Sequence, residues 1–210
     1  MIKGLMDYLD PKKSAILVID IQNDFCHSKG YFGIKKFNLK YIQKIIPNIQ
    51  NFLKNARNLG VKIIHIRSFL DQKFLSPPMR VRNKQLGREK GICIKGSWGA
   101  KFYKINPVKN DIVLTKHNYS AFIETDLKNR LKERDIQTLL IAGVLTNVCC
   151  ESTLRDGFML GFYTFLVEDC CASVDRNAHL ATIENVKKYF GWVCKSIDVI
   201  SYWKKIINTK

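Results

Sequence analysis

Short apolar runs alternate with longer amphipathic stretches along the 210-residue chain. Each apolar run has the length and the Ile, Leu and Val content of a strand that is buried on both faces. The amphipathic stretches repeat apolar side chains every three or four positions, as a helix with one buried face does. The pattern predicts strands at residues 14–20, 61–67, 111–116, 138–143, 163–168 and 193–196, and helices at residues 39–58, 125–134, 147–160 and 177–190.

This alternation predicts an α/β fold, a three-layer α-β-α sandwich around a mainly parallel six-stranded sheet of Rossmann-like type. Residues 69–108 interrupt the pattern because they contain Pro77, Pro78 and several glycines, so we expect mainly loop with short helical pieces. A loop of this length in a compact domain is usually functional. Since 210 residues can bury a large core, we expect residues 1–210 to form a single domain.

The composition favours a cytoplasmic protein. No apolar run approaches the roughly 20 residues that a membrane-spanning helix needs, and residues 1–10 carry charges where a signal peptide has an apolar centre. The seven cysteines include two adjacent pairs and show none of the paired spacing of a zinc site. We therefore expect free thiols in a reducing compartment, most of them packed in the core.

The formal net charge of +17 raises the question of a nucleic-acid partner. The basic residues are scattered along the chain, and the densest cluster lacks the interleaved aromatic residues of a single-strand binding platform. That cluster consists of Arg80, Arg82, Lys84, Arg88 and Lys90. We expect no specific nucleic-acid partner and no membrane partner, and a positive field that favours an anionic small molecule.

Three residues with chemical potential lie at the ends of predicted strands. Asp20 closes the first strand, Lys116 closes the third, and Cys149 follows the fourth where a helix should begin. In a parallel sheet such ends share one crevice, so an acid, an ammonium and a thiol can meet there. A helix N-terminus would also lower the pKa of the Cys149 thiol. The alternative is that these residues have no catalytic role, and that they are a solvated aspartate, a surface lysine and a core cysteine.

The motifs around these residues resemble one family. VIDIQNDF at residues 18–25, Lys116, and GVLTNVC at residues 143–149 are similar to the Asp, Lys and Cys motifs of the isochorismatase-like cysteine hydrolases, in the same order. TNVCCESTLRDGF at residues 146–158 and YFGWV at residues 189–193 most resemble a branch of that family, the ureidoacrylate amidohydrolases of pyrimidine degradation. The resemblance implies an amidohydrolase that cleaves a C–N bond of a ureido or N-carbamoyl compound through a covalent acyl-enzyme.

The resemblance also implies roles for particular residues. Asp20 takes the proton of Cys149 and later protonates the leaving amine, and Lys116 completes the triad. The backbone N–H groups of Leu145 and Cys149 form an oxyanion hole, and the Val144–Leu145 peptide bond is cis.

Substrate contacts fall on the loops. The resemblance places Phe25, Asn83 and Tyr119 at the substrate, with Phe25 as an apolar wall, although any one phenylalanine could equally belong to the core. Arg80 and Arg82 could bind a substrate carboxylate with two hydrogen bonds each.

The histidines do not form a metal-binding pattern. His27, His65, His117 and His179 are widely separated, whereas nicotinamidases of this family hold a metal with an aspartate and neighbouring histidines. We therefore expect no metal and no cofactor. True isochorismatases lack the cysteine, so Cys149 argues against isochorismatase activity.

Alternatives remain open at this point. Another amidase of the family, acting on biuret, N-carbamoylsarcosine or nicotinamide, is the first of them. A non-catalytic basic binding protein on the same scaffold is the second. Because family members usually assemble, we also expect a homo-oligomer.

Overall fold

A computed structural model describes residues 8–208 and contains a six-stranded, all-parallel sheet in the order β3-β2-β1-β4-β5-β6. This arrangement confirms the predicted α/β fold and the six predicted strands, each displaced by only a few residues at its ends. The strands are β1 (Ser14–Ile19), β2 (Lys62–Ser68), β3 (Ile112–Lys116), β4 (Thr138–Val144), β5 (Tyr163–Ala172) and β6 (Trp192–Cys194).

Helices cover both faces of the sheet. They are α1 (Asn23–Cys26), α2 (Tyr31–Ile34), α3 (Lys40–Asn58), α4 (Pro77–Gln85), α5 (Leu127–Lys132), α6 (Glu151–Met159), α7 (Arg176–Asn185) and α8 (Ser196–Asn208). A π-helical turn, Thr146–Cys150, precedes α6, and a second one, Val186–Phe190, follows α7. Short 3-10 turns lie at Pro11–Lys13 and Gln72–Phe74. Within residues 8–208, no helix is long and apolar enough to cross a membrane.

The core consists of two apolar layers, one on each face of the sheet. Because side chains of a strand alternate between faces, Ile16 and Val18 of β1 pack with α3 and α8, whereas Leu17 and Ile19 pack with α5, α6 and α7. Both faces of the central strands are therefore buried, which explains their continuous apolar sequence.

The C-terminal helix α8 was not among the predicted elements. Its Trp203 is fully buried, stacks on Phe52 and donates a hydrogen bond from Nε1 to the Leu9 carbonyl (2.7 Å). Ile197 and Ile207 in the same helix are exposed. The buried face of α8 packs against α3.

Gly143 lets strand β4 lie close against β1. A Cβ atom at this position would lie 2.1 Å from the Ile19 carbonyl oxygen, and the glycine adopts a φ of +128°, which other residues rarely do. The pairing of β4 with β5 also shifts register between Ile141 and Gly143. The glycine thereby brings the chain after β4 beside the end of β1.

Candidate active site

The ends of four neighbouring strands build the candidate site. Asp20 follows β1, Ser68 ends β2, Lys116 ends β3, and Cys149 lies in the π-helical turn after β4. Strands β1 and β4 are adjacent in a sheet whose order runs outward in both directions from them. The carboxyl edge at such a switch point is where open α/β sheets bind ligands.

Asp20 and Lys116 form a buried ion pair. Lys116 Nζ lies 2.8 Å from Asp20 Oδ2, and the two side chains are 0% and 1% exposed, respectively. Burial by itself lowers the pKa of the Lys116 ammonium, but the charge of Asp20 and its hydrogen bond raise it above the ordinary value. The lysine is thus held as a cation beside the Asp20 side chain.

Ser68, which sequence reasoning missed, joins this pair. Its hydroxyl accepts a hydrogen bond from Lys116 Nζ (2.8 Å) and donates one to Asp20 Oδ1 (2.9 Å). The Gln22 side chain accepts from the Ser68 N–H (2.7 Å) and donates to the carbonyls of Ser68 and Ala100. The available signal was position, since Ser68 ends the strand that lies between β1 and β3.

Cys149 is presented by a tight turn. The Leu145 carbonyl accepts hydrogen bonds from the N–H groups of Val148 (3.1 Å) and Cys150 (3.2 Å). The Cys149 carbonyl in turn accepts from the Thr153 hydroxyl (2.7 Å). Cys149 lines a cavity at this edge of the sheet, whereas Cys150 is fully buried in the core, as the helical step between them predicts.

The expectation of a lowered cysteine pKa is wrong. Burial raises the pKa of the Cys149 thiol to about 12; the charge of Lys116 opposes this rise, and Asp20 adds to it. The resting group is therefore a protonated thiol. Desolvation, which the expectation from a helix N-terminus left out, is the largest cause of this rise.

The Val144–Leu145 peptide bond is cis, as the resemblance implies. It connects the end of β4 to the turn that carries Cys149, so the N–H groups of Leu145 and Cys149 belong to the same short segment.

A cavity of about 140 Å³ lies against the triad. Besides Asp20, Lys116 and Cys149, its lining includes four of the other residues that the sequence nominated: Phe25, Asn83, Tyr119 and Leu145. It also includes Ser68, Phe32, Leu70, Met79, Arg88, Ile92, Asn118, Val144 and Val148, which were not nominated. The long segment after β2 thus supplies much of the wall.

The two arginines suggested as carboxylate ligands do not line this cavity. Arg80, on α4, donates a hydrogen bond from Nη1 to the Leu75 carbonyl (2.8 Å), which holds its side chain against the segment before the helix. Arg82 lies on α4 and is exposed. The helical pitch of α4 turns Asn83 into the cavity and leaves these neighbours outside it.

The histidines have separate structural contacts. His65 Nε2 lies 3.0 Å from Asp111 Oδ2, and His179 Nδ1 lies 2.9 Å from the Thr146 hydroxyl. In the part of the chain that the structure describes, no three His, Cys, Asp or Glu side chains are grouped to hold a metal ion.

Together these features define a class: an α/β protein with an acid, a lysine and a cysteine at the carboxyl edge of a parallel sheet. The isochorismatase domain family matches residues 14–198, so the chain belongs to the isochorismatase family, and the predicted membership in this hydrolase family is confirmed.

Individual relatives agree with this assignment. The ureidoacrylate amidohydrolase RutB of Acinetobacter baylyi (strain ATCC 33305 / BD413 / ADP1) is 31% identical over 199 residues, which cover 88% of this chain and 81% of that protein. A cysteine hydrolase from Pseudomonas syringae pv. phaseolicola 1448A superposes with a TM-score of 0.83 at 25% identity, covering 93% of this chain and 94% of that one. An isochorismatase-like hydrolase from Alkaliphilus metalliredigens superposes with a TM-score of 0.74 at 27% identity, covering 91% and 99%.

Proposed function

We propose that the protein is a cysteine-dependent amidohydrolase that cleaves a C–N bond of a ureido or N-carbamoyl compound through a covalent acyl-enzyme. The observation that carries this proposal is the buried Asp20–Lys116 pair, which lies with Cys149 against one small cavity. The similarity to a ureidoacrylate amidohydrolase supports a ureidoacrylate-like compound as the substrate.

The first step is attack by sulfur on the substrate carbonyl carbon. Because the pKa of the Cys149 thiol is about 12, the thiol needs a base, and the Asp20 carboxylate accepts its proton as the C–S bond forms. Lys116 orients that carboxylate through its 2.8 Å contact. Coupling proton transfer to attack avoids a free thiolate in the buried pocket.

Attack places negative charge on the carbonyl oxygen. The N–H groups of Leu145 and Cys149 are our candidates for its donors, since preorganised backbone donors stabilise such an oxyanion. When the tetrahedral species collapses, the C–N bond breaks and the departing nitrogen takes the proton held by Asp20.

Water completes the cycle. Asp20 is again a carboxylate, so it accepts a proton from a water molecule that attacks the acyl carbon bound to sulfur. The C–S bond then breaks, and the sulfur of Cys149 takes back the proton from Asp20. One carboxylate thus serves both halves of the reaction.

The test compares wild-type protein with the Cys149→Ala and Cys150→Ala variants. Ammonia release is measured with ureidoacrylate, N-carbamoyl amino acids, biuret and nicotinamide. We expect release from a ureido compound, its loss in Cys149→Ala, and its retention in Cys150→Ala, which removes the adjacent thiol from the core instead of the pocket.

Two results would contradict the proposal. Equal turnover by wild-type protein and Cys149→Ala would exclude the cysteine mechanism. No hydrolysis of any compound in the panel would favour a non-catalytic binding protein.

A further inference from the structure

We propose that Arg88 recognises a carboxylate on the substrate and so selects anionic over neutral ureido compounds at this site. The inference rests on the proposed function for the type of bond cleaved. It adds the specificity-determining residue and the charge of the substrate group that this residue binds.

The cavity contains one cation whose hydrogen-bond donors are all used and one whose donors are free. Among residues 8–208, Lys116 and Arg88 are the cationic side chains that line it. The Lys116 ammonium has three N–H donors, and these bond to Asp20 Oδ2 (2.8 Å), Ser68 Oγ (2.8 Å) and the Asn118 carbonyl (3.0 Å). It has no donor left for a second carboxylate.

Arg88 is placed differently. Its backbone is held in the turn after α4, because its N–H donates to the Asn83 carbonyl (2.8 Å) and its carbonyl accepts from the Gly91 N–H (2.9 Å). Its side chain is partly buried, and among the described residues its guanidinium has no hydrogen bond or ion pair. The main chain is therefore positioned while all five guanidinium N–H donors remain available.

A second unpartnered polar group lies beside it. Asn83 is 6% exposed, yet within the described chain its side-chain amide makes no hydrogen bond. Among the described residues, His65 Nδ1 is the fully buried side-chain atom without a partner, so the Asn83 amide keeps access to the cavity and is open to a ligand. Arg88 and Asn83 are thus two side chains with free donors that line the same cavity.

The remaining lining decides the sign of the ligand. Asp20 is the acidic side chain among the described residues of the lining, and it is already paired with Lys116. Phe25, Phe32 and Ile92 supply apolar wall. A guanidinium in such surroundings binds a planar carboxylate with two charge-assisted hydrogen bonds. A neutral carboxamide can accept at one oxygen only, and its NH2 group would face the cation.

The test uses a pair of probes with the same shape, 3-ureidopropionate and 3-ureidopropionamide. Both are titrated calorimetrically into Cys149→Ala protein, which holds the probes without turnover. We expect the acid to bind about 10- to 100-fold more tightly than the amide, from the usual strength of hydrogen bonds between charged groups. Adding Arg88→Gln should remove this preference, whereas Arg82→Gln, which removes an exposed charge from α4 outside the cavity, should retain it.

Several results would overturn the inference: equal affinity for acid and amide, no binding of either, or the same loss in Arg82→Gln as in Arg88→Gln. The outcomes separate the two proposals. Cysteine-dependent hydrolysis without an acid preference refutes the role of Arg88 and leaves the proposed reaction standing. An Arg88-dependent acid preference without hydrolysis of any ureido compound supports the role of Arg88 and refutes the proposed reaction.

Discussion

Removing the Lys116 ammonium should sharply destabilise the fold, because it leaves a carboxylate buried without its counter-ion. Lys116→Met preserves an unbranched, apolar chain of similar length but removes the hydrogen bonds to Asp20, Ser68 and the Asn118 carbonyl. Asp20, which is 1% exposed, would then keep the Ser68 hydroxyl as a side-chain donor but lose its charge partner.

The magnitude follows from this burial. Removing one member of a buried ion pair costs about 3–5 kcal/mol, whereas replacing both with uncharged groups costs much less. We expect Lys116→Met to lower the free energy of unfolding by about 4 kcal/mol and Asp20→Asn by about 3 kcal/mol. The double variant should lose less than the sum, with a coupling of about 2 kcal/mol or more between the two sites.

Urea unfolding followed by tryptophan fluorescence measures all four members of this cycle. Lys13→Met is the matched control, because Lys13 pairs with Asp135 at 3.6 Å on the surface and should contribute less than about 1 kcal/mol. If Lys116→Met were no more costly than Lys13→Met, or if the two site changes were additive, the buried pair would not have the role inferred here.

Two further predictions concern the backbone and pH. Gly143→Ala should destabilise the protein well beyond Gly161→Ala, since both glycines have positive φ but only Gly143 would bring a Cβ against the Ile19 carbonyl; equal unfolding midpoints would contradict this. Burial lowers the pKa of both His65 and His179, and Arg176 lowers that of His179 further, so below their ordinary pKa of 6.5 the unfolded chain binds more protons than the folded one. The free energy of unfolding should therefore be fully retained above about pH 6.5 and decrease as the pH falls below it. Denaturation at pH 7.5 and 5.5 measures this slope, which a flat profile would refute.

The local sequence pattern was sufficient to predict most strands and helices of the fold. A strand buried on both faces must be apolar along its length, so β1 and β4 were readable from composition alone, and their polar ends marked Asp20 and Cys149. Helix α3 was equally readable because its apolar residues recur at helical spacing. Helix α8 was not among the predicted elements, although Val199, Ile200 and Trp203 also lie at helical spacing.

Tertiary packing decided the chemistry around those residues. The pKa of Cys149 depends on desolvation and on charges at the ends of β1 and β3, and neither is encoded near residue 149. The pKa expected from a helix N-terminus alone was therefore lowered, whereas the pKa in the folded protein is raised. Ser68 enters the site only because β2 lies between β1 and β3. Such non-local terms cannot be read from spacing along one strand.

The basic segment around α4 shows most clearly what the sequence determined and what only the folded structure determined. The sequence by itself determined that arginines cluster between residues 80 and 88, which is a statement about composition. Only the folded chain decided that Arg80 binds the segment before α4, that Arg82 faces solvent, and that Arg88 lines the cavity. The physical reason is that the pitch of α4 and the turn after it set the direction of each side chain, and nearby charges differ in function when they point in different directions.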